Sequence, residues 1–322
     1  MSGLRPLLAL GTGLVMLLAG CSGPAPQGAP GGTADVAFAG SLELVMDQRA
    51  GPAFTRATGY QYQGRGAGSV ALAQEILAHE ISPNVFISVG SAPISMLEPA
   101  HTRWAVRIAT SPLVLAYYPK GRYAAELHKL ALGQLPIRDL FSLLAAPGFR
   151  LGRTDPATDP QGQAFAMMVG LARQAYSLPA AEAQAVLGGS NPGSQIYPET
   201  ALEAQLQAGQ LDAASAFRSQ AIQLGLPYVP LPAGIDFGDP QDQAQYRRAS
   251  LQIGPHDSVH GFLLDLEVTV LGRSDGAAAD AFVRYLISQP GRTILSRAGY
   301  SLLPPTLLGN LHAVPASIRA VA

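Results

Sequence analysis

The chain has 322 residues, a formal net charge of -1 at pH 7 and a single cysteine. Charged residues make up 13% of the sequence, about half of the roughly 25% that is usual in globular proteins. A nucleic-acid-binding surface needs a basic stripe, and the balanced charge predicts none. One cysteine excludes an internal disulfide, and the length allows two lobes.

The first 20 residues have the pattern of a secretory signal peptide. Arg5 supplies a positive charge, and an almost wholly apolar run too short for a comfortable membrane span follows it. The Leu-Ala-Gly-Cys run that ends at Cys21 resembles a bacterial lipoprotein box, which implies cleavage before Cys21 and a lipid on its sulfur. The alternative is an ordinary secretory signal with a chance cysteine. The Pro- and Gly-rich residues 21–34 predict a lipidated, flexible tether.

Short apolar strands then alternate with helical stretches, which predicts an α/β fold. The predicted strands are 35–39, 60–63, 84–89, 107–118, 149–152, 213–217, 228–231 and 265–271. The predicted helices are 42–55, 69–79, 123–132, 161–176, 199–208, 218–224, 277–288 and 291–298.

Two long β-rich stretches, 107–118 and 265–271, lie far apart in the sequence and are candidates for crossover strands at a hinge between two lobes. The predicted division is lobe 1 at 35–112 plus 267–305, lobe 2 at 113–266, and a C-terminal tail at 306–322.

Two strand–turn–helix junctions place a serine where a helix begins. Ser41 follows Ala-Gly at 39–40, and Ser69 follows the glycine-rich run 64–68. Small residues let the backbone lie close to a ligand, and the free N–H groups at a helix start point outward. Two such helix starts facing one cleft predict a site for a small oxyanion that needs no Lys or Arg.

Two further junctions occur later in the chain. Asp159 fits a helix N-cap and Pro160 the first helical position, so a helix is predicted to start near Gln161. Arg218 and Ser219 follow a predicted strand and open another helix; the arginine is either an anion ligand or a solvated surface residue, and the serine either a ligand or a cap.

Other chemistries find little support in the sequence. The glycine-rich run 64–68 lacks the Lys-Ser/Thr of a phosphate loop. His256 and His260 stand four apart without an evident third ligand, so no metal-cation site is expected. No nucleophile–base pair is apparent, and we therefore expect neither an enzyme nor a cofactor.

Six short motifs in this order resemble the tungstate/molybdate-binding proteins of ABC importers, in the type II periplasmic binding-protein superfamily. The matching runs are Ala-Gly-Ser-Leu at 39–42, Gly-Ala-Gly-Ser-Val at 66–70, Leu-Val-Leu-Ala-Tyr at 113–117, Gly-Arg-Thr-Asp-Pro at 152–156 with Asp-Pro-Gln-Gly at 159–162, Gly-Gln-Leu-Asp at 209–212, and Tyr-Val-Pro-Leu-Pro at 228–232 with Ile-Asp-Phe-Gly-Asp-Pro at 235–240. The resemblance covers about residues 35–300.

The resemblance implies two lobes, each a mixed sheet flanked by helices, joined by two crossover hinge strands. It implies an extracytoplasmic, lipid-anchored, monomeric protein that binds molybdate or tungstate between the lobes and delivers it to ABC permease subunits in the membrane. Serines that match Ser41 and Ser69 donate from lobe 1, and the backbone after the Asp-Pro pair, at Gln161, donates from lobe 2.

One family feature is missing. In the archaeal-type branch two carboxylates approach the metal centre, of which one matches Asp159 and the other falls at Ala216. The loss of the second carboxylate leaves open a different anion, such as sulfate, thiosulfate or an organic anion, or a non-transport sensor on the same fold. Charge-assisted hydrogen bonds from Arg218 are a hypothesis for how such a cleft favours an anion.

Overall fold

A computed structural model describes residues 31–272 and 276–322. The predicted signal peptide, Cys21 and most of the predicted tether lie outside the described residues. The strands are β1 Thr33–Ala39, β2 Gln61–Ala67, β3 Val85–Val89, β4 Trp104–Thr110, β5 Leu113–Tyr117, β6 Leu151–Gly152, β7 Ala213–Phe217, β8 Tyr228–Pro230, β9 Ser250–Gln252, β10 Ser258–His260, β11 Asp265–Val270 and β12 Ser301–Gly309.

Helices connect these strands. They are α1 Glu43–Val45, α2 Gly51–Thr58, α3 Ser69–Leu77, α4 Ala92–Leu97, α5 Ala124–Ala131, α6 Arg138–Leu144, α7 Pro160–Ala175, α8 Ala180–Val186, α9 Glu199–Gln207, α10 Arg218–Gln223, α11 Ala233–Asp236, α12 Gln243–Tyr246, α13 Ala277–Ile287, α14 Gln289–Arg297 and α15 Ala316–Arg319. Short 3-10 turns are Gly40–Leu42, Pro192–Gln195, Pro240–Asp242 and Leu311–Ala313, and Met46–Ala50 is a π turn.

Two mixed sheets define two lobes. The sheet of lobe 1 has the order β12-β4-β11-β3-β1-β2, with parallel pairing among β2, β1 and β3 and antiparallel pairing beyond β3. The sheet of lobe 2 has the order β6-β7-β5-β8, and β9 and β10 form a separate hairpin. All five residues of β3 are buried, as expected for a strand whose two faces are both covered.

The chain passes from lobe 1 to lobe 2 at Ser111 and Pro112. These two residues divide the stretch predicted as one strand, 107–118, into β4 in one sheet and β5 in the other. Pro112 has no N–H to donate to a neighbouring strand, which explains why the strand is interrupted here. The return to lobe 1 leads into β11, which agrees with the predicted strand 265–271.

The end of the chain adds an edge strand to lobe 1. Strand β12 pairs with β4 and runs across the boundary at 305/306 predicted between lobe 1 and a tail. Its register shifts between Leu302 and Thr306, around Pro304 and Pro305. Prolines and bulges are tolerated at a sheet edge, where half of the backbone groups have no strand partner.

A charged network joins the two strands that flank the lobe junction. Arg107 on β4 contacts Asp265 and Glu267 on β11, with an Nη2–Oε1 distance of 3.3 Å to Glu267. The hydroxyl of Ser91 donates to the same Oε1 atom at 2.7 Å. Both carboxylates are buried, and burial together with the nearby Glu267 charge raises the pKa of Asp265 to about 7.

Arg107→Ala is expected to lower the free energy of unfolding at pH 8.5 by roughly 3 kcal/mol, because two buried carboxylates lose their cation. The loss should be smaller at pH 5, where Asp265 is protonated. Urea denaturation at both pH values measures it. Arg65→Ala, which breaks the surface pair with Glu75, is the control and should cost about 1 kcal/mol or less. Equal losses of unfolding free energy for Arg107→Ala and Arg65→Ala would show that Arg107 does not stabilise the two buried carboxylates.

Candidate ligand-binding cleft

The first serine lies in the turn that follows β1. Ser41 is 4% exposed, and its Oγ atom finds no hydrogen-bond partner among the described residues. A Cβ atom on the preceding Gly40 would lie 2.6 Å from Oε2 of Glu199, so a larger residue here would displace the Glu199 side chain. A buried hydroxyl without a partner costs free energy, which makes Ser41 a candidate ligand donor.

The second serine begins α3. Ser69 is buried, and its Oγ accepts a hydrogen bond from the backbone N–H of Val89 at 3.2 Å, which leaves the hydroxyl hydrogen able to donate. A Cβ atom on Gly68 would lie 2.6 Å from the carbonyl oxygen of Thr158. The backbone N–H of Ala71 donates to that same oxygen at 3.2 Å. Lobe 1 therefore packs directly on the loop before α7.

Asp159 caps α7, as its place before Pro160 predicts. Its extended backbone ends the loop, and its carboxylate accepts the backbone N–H of Gln161 at 2.7 Å. The side chain is buried, and this burial raises its pKa to about 6, against the opposing effect of the Gln161 hydrogen bond. The carboxyl group of Asp159 thus titrates close to neutral pH.

The side chain of Gln161 belongs to an amide network in lobe 2. Its Nε2 atom donates to Oε1 of Gln220 at 3.1 Å and lies 3.4 Å from Oε1 of Glu199. The hydroxyl of Ser215 donates to Gln161 Oε1 at 2.9 Å, and Gln220 Nε2 donates to Glu199 Oε1 at 3.1 Å. These bonds fix the orientation of both amides, which direct their N–H groups at Glu199.

Glu199 was not among the residues predicted from the sequence. It is the first residue of α9, a usual position for an acidic residue, so the sequence contains no signal for a special role. In the fold it is buried, touches Gly40, and faces the backbone N–H of Ser41. Burial and the charges of Asp159 and Glu203 raise its pKa well above the ordinary value.

Glu203 lies one turn farther along α9 and lines a cavity of about 180 Å³ with Gly40, Ser41 and Glu43. Gln220 Nε2 donates to its carboxylate. Burial and the charge of Glu43 raise the pKa of Glu203 to about 8. Two buried carboxyl groups, those of Asp159 and Glu199, and the half-buried Glu203 therefore lie where lobe 2 meets lobe 1.

The two predicted residues of α10 contact the lobe junction. Arg218 Nη2 donates to the carbonyl oxygen of Gly299 at 3.2 Å and to Ser301 Oγ at 2.7 Å. Its Nε atom is buried and has no hydrogen-bond partner within the described part of the chain, so one donor remains for a ligand. Ser219 is fully buried, and its backbone N–H donates to Ser111 Oγ at 3.0 Å. An anion contact by either residue stays a prediction.

Within residues 31–272 and 276–322, no group of three or more His, Cys, Asp or Glu side chains is arranged to hold a metal ion. In the same residues no helix combines the length and apolar character that crossing a membrane requires.

Two α/β lobes that meet in a polar cleft define a binding protein of the clamshell class. Residues 34–301 match the family described as bacterial extracellular solute-binding protein. The chain belongs to this family, which is one of solute-binding proteins and not a class of enzymes.

Two of the relatives have names that state what they bind. A Haloferax volcanii protein, provisionally named an ABC transporter molybdenum-binding protein, is 28% identical over 284 residues, 88% of this chain and 85% of the relative. The molybdate/tungstate-binding protein WtpA of Pyrococcus abyssi is 26% identical over 247 residues, 70% of this chain and 69% of WtpA.

Solved structures show the same fold at lower identity. The periplasmic molybdate-binding protein of Azotobacter vinelandii has a TM-score of 0.56 and 17% identity, over 83% of this chain and 98% of that one. The sulfate-binding protein SubI of Mycobacterium tuberculosis has a TM-score of 0.50 and 13% identity, over 90% of this chain and 88% of its own. The fold is that of a two-lobe type II periplasmic binding protein, as predicted.

The carboxyl group of Glu203 should make the stability of the protein fall as the pH rises. Because the pKa of Glu203 is higher in the folded chain than the ordinary value, its contribution to stability is lost as pH rises from about 4 to about 8. Glu203→Gln should therefore raise the melting temperature by several degrees at pH 8.5 and change it little at pH 5. Differential scanning calorimetry measures both. Glu80→Gln, at an exposed position, is the control; a pH-independent effect of Glu203→Gln would count against the burial argument.

Proposed function

We propose that the protein is the extracytoplasmic, lipid-anchored substrate-binding component of an ABC importer, and that it binds molybdate or tungstate between its lobes. The approach of two lobe 1 turns to lobe 2 carries this proposal: the turn at Gly40 lies against Glu199, and the turn at Gly68 lies against Thr158. Ser41 and Ser69, which follow these glycines, offer hydroxyl donors, whereas the backbone N–H of Gln161 is bonded to the carboxylate of Asp159. Gly68 brings lobe 1 against Asp159: a Cβ atom on this glycine would lie 3.4 Å from a carboxylate oxygen of Asp159.

The relatives support this choice of ligand. Two of them are named for molybdenum, molybdate or tungstate, and each covers more than two thirds of this chain. Neutral hydroxyl and N–H donors at fixed positions suit a small anion of defined size, since they require no countercharge.

Sulfate is the second candidate, and one observation favours it. Position 216, where the resemblance places a metal-approaching glutamate, holds a buried alanine on β7. A cleft without that carboxylate lacks a group that would approach the metal centre of molybdate or tungstate. A sulfate-binding protein is also among those that share the fold. Thiosulfate, an organic anion and a sensor role belong to the same alternative.

The remaining parts of the proposal rest on the start of the sequence and on the family. The Leu-Ala-Gly-Cys run predicts a lipid on Cys21, and the family is described as extracellular. We infer a monomer that reaches ABC permease subunits from its lipid anchor, without catalysis, cofactor or nucleic acid.

Calorimetric titration with molybdate, tungstate and sulfate tests the ligand. We expect tight binding of the first two and weak binding of sulfate. Ser41→Ala should weaken binding about tenfold or more, because a hydrogen bond to a charged group contributes about 1.5–3 kcal/mol. Ser142→Ala, at an exposed position in lobe 2, is the matched control. No binding of any of the three anions would refute the proposal, and sulfate as the tightest ligand would establish the second candidate.

Gly68→Ala tests whether binding needs the observed closeness of the lobes. The added Cβ atom meets the carbonyl oxygen of Thr158 in the other lobe, so closure is obstructed while each lobe keeps its core. We expect at least a tenfold loss of anion affinity. Gly170→Ala on α7 adds the same atom where nothing lies within 4 Å, and should leave affinity unchanged. Small-angle scattering with and without anion reports closure directly; unimpaired closure of the Gly68 variant would contradict this role.

A further inference from the structure

We propose that Glu199 is an internal anion at the ligand's position, and that the protein takes up one proton on this carboxyl group when it binds a dianion. The inference rests on the proposed function and adds to it the residue that sets how affinity depends on pH.

The Glu199 carboxylate lies against lobe 1. Glu199 belongs to lobe 2, but its Oε2 atom would lie 2.6 Å from a Cβ atom on Gly40 in lobe 1. The backbone N–H of Ser41 faces it and favours its charged form. This is the N–H group that the sequence predicts as a donor to an external oxyanion.

Hydrogen bonds within lobe 2 hold this carboxylate in place. Its Oε1 atom accepts from Gln220 at 3.1 Å and lies 3.4 Å from the Gln161 amide nitrogen. Ser215 donates to the oxygen of Gln161, and the backbone N–H of Phe217 donates to the oxygen of Gln220 at 2.9 Å. Both amide oxygens are engaged, so both amide nitrogens remain directed at Glu199.

The groups around Glu199 are mostly acidic. Asp159 before α7, Glu203 on α9 and, behind Glu203, Glu43 on α1 are all acidic. The phenol of Tyr300 is the titratable neighbour from the end of lobe 1. In the described part of the chain no Lys or Arg forms an ion pair with Glu199, and Arg218 on α10 directs Nη2 at Gly299 and Ser301.

A dianion that enters this cleft meets like charges at short range, where the low dielectric makes repulsion strong. Protonation of Glu199 removes the nearest of these charges. The proton comes from solvent and forms an O–H bond on a carboxylate oxygen. The neutral carboxyl group then donates that hydrogen to the oxyanion. Burial and the neighbouring acidic groups raise the pKa of Glu199 above its ordinary value, which favours proton uptake on this group.

The test is isothermal titration of the purified protein with molybdate between about pH 6.5 and 8.5, in buffers of different ionisation enthalpy. Molybdate remains a dianion over this range. We expect affinity to fall up to about tenfold for each unit of pH increase, with about one proton taken up per anion. Glu199→Gln should remove this dependence and bind more tightly than the original protein at pH 8.5.

Glu203→Gln is the matched variant, because it neutralises the next carboxyl group on the same helix, whose pKa of about 8 also lies in this range. We expect it to keep most of the proton uptake that Glu199→Gln loses. The buffer comparison on the unsubstituted protein needs no variant, so a folding defect in Glu199→Gln does not prevent the test. Binding without proton uptake, or a pH dependence that Glu203→Gln removes and Glu199→Gln keeps, would overturn the inference alone. No binding of molybdate, tungstate or sulfate at any pH would overturn the proposed function and this inference together.

Discussion

The cleft depends on two backbone turns of lobe 1 that approach lobe 2 with no side chain between them. Gly40 and Gly68 each lie where a Cβ atom would come within 2.6 Å of an oxygen of the other lobe, from Glu199 in one case and Thr158 in the other. Only this closeness lets N–H and hydroxyl groups at two helix starts face polar groups on α7 and α9. The crossover at Ser111 and Pro112 makes this contact one between lobes, since it puts β4 and β5 into two different sheets.

The electrostatics of the cleft follow from the same packing. Asp159 and Glu199 are buried and Glu203 is half-buried where the lobes meet, and this burial raises the pKa of all three carboxyl groups. Amide donors from Gln161 and Gln220 supply directional hydrogen bonds but no positive charge. No Lys or Arg forms an ion pair with Glu199 in the described part of the chain, so N–H groups alone stabilise its charged form.

Proteins of this fold are named for different anions. Proteins named for molybdate and for sulfate share the two-lobe architecture with this chain at 17% identity or less. Because the architecture tolerates such divergence, the choice of anion must lie with a few groups that line the cleft. We propose that Ser41 and Ser69 are among these groups; position 216 holds an alanine.

The sequence alone determined the α/β class, the strand-to-helix junctions and the cap at Asp159, because these follow from local patterns of apolar residues, glycine and proline. It also indicated the serines, since a helix start after small residues is visible within a few positions. It did not indicate Glu199, an ordinary first-turn glutamate until α9 packs against Gly40. Nor did it show that the stretch 107–118 divides between two sheets, or that residues 306–309 belong to an edge strand. Strand pairing and the meeting of α9 with a turn about 160 residues earlier are contacts between distant segments. Only the tertiary structure decides such contacts, because they depend on how the elements pack and not on the local sequence of any one of them.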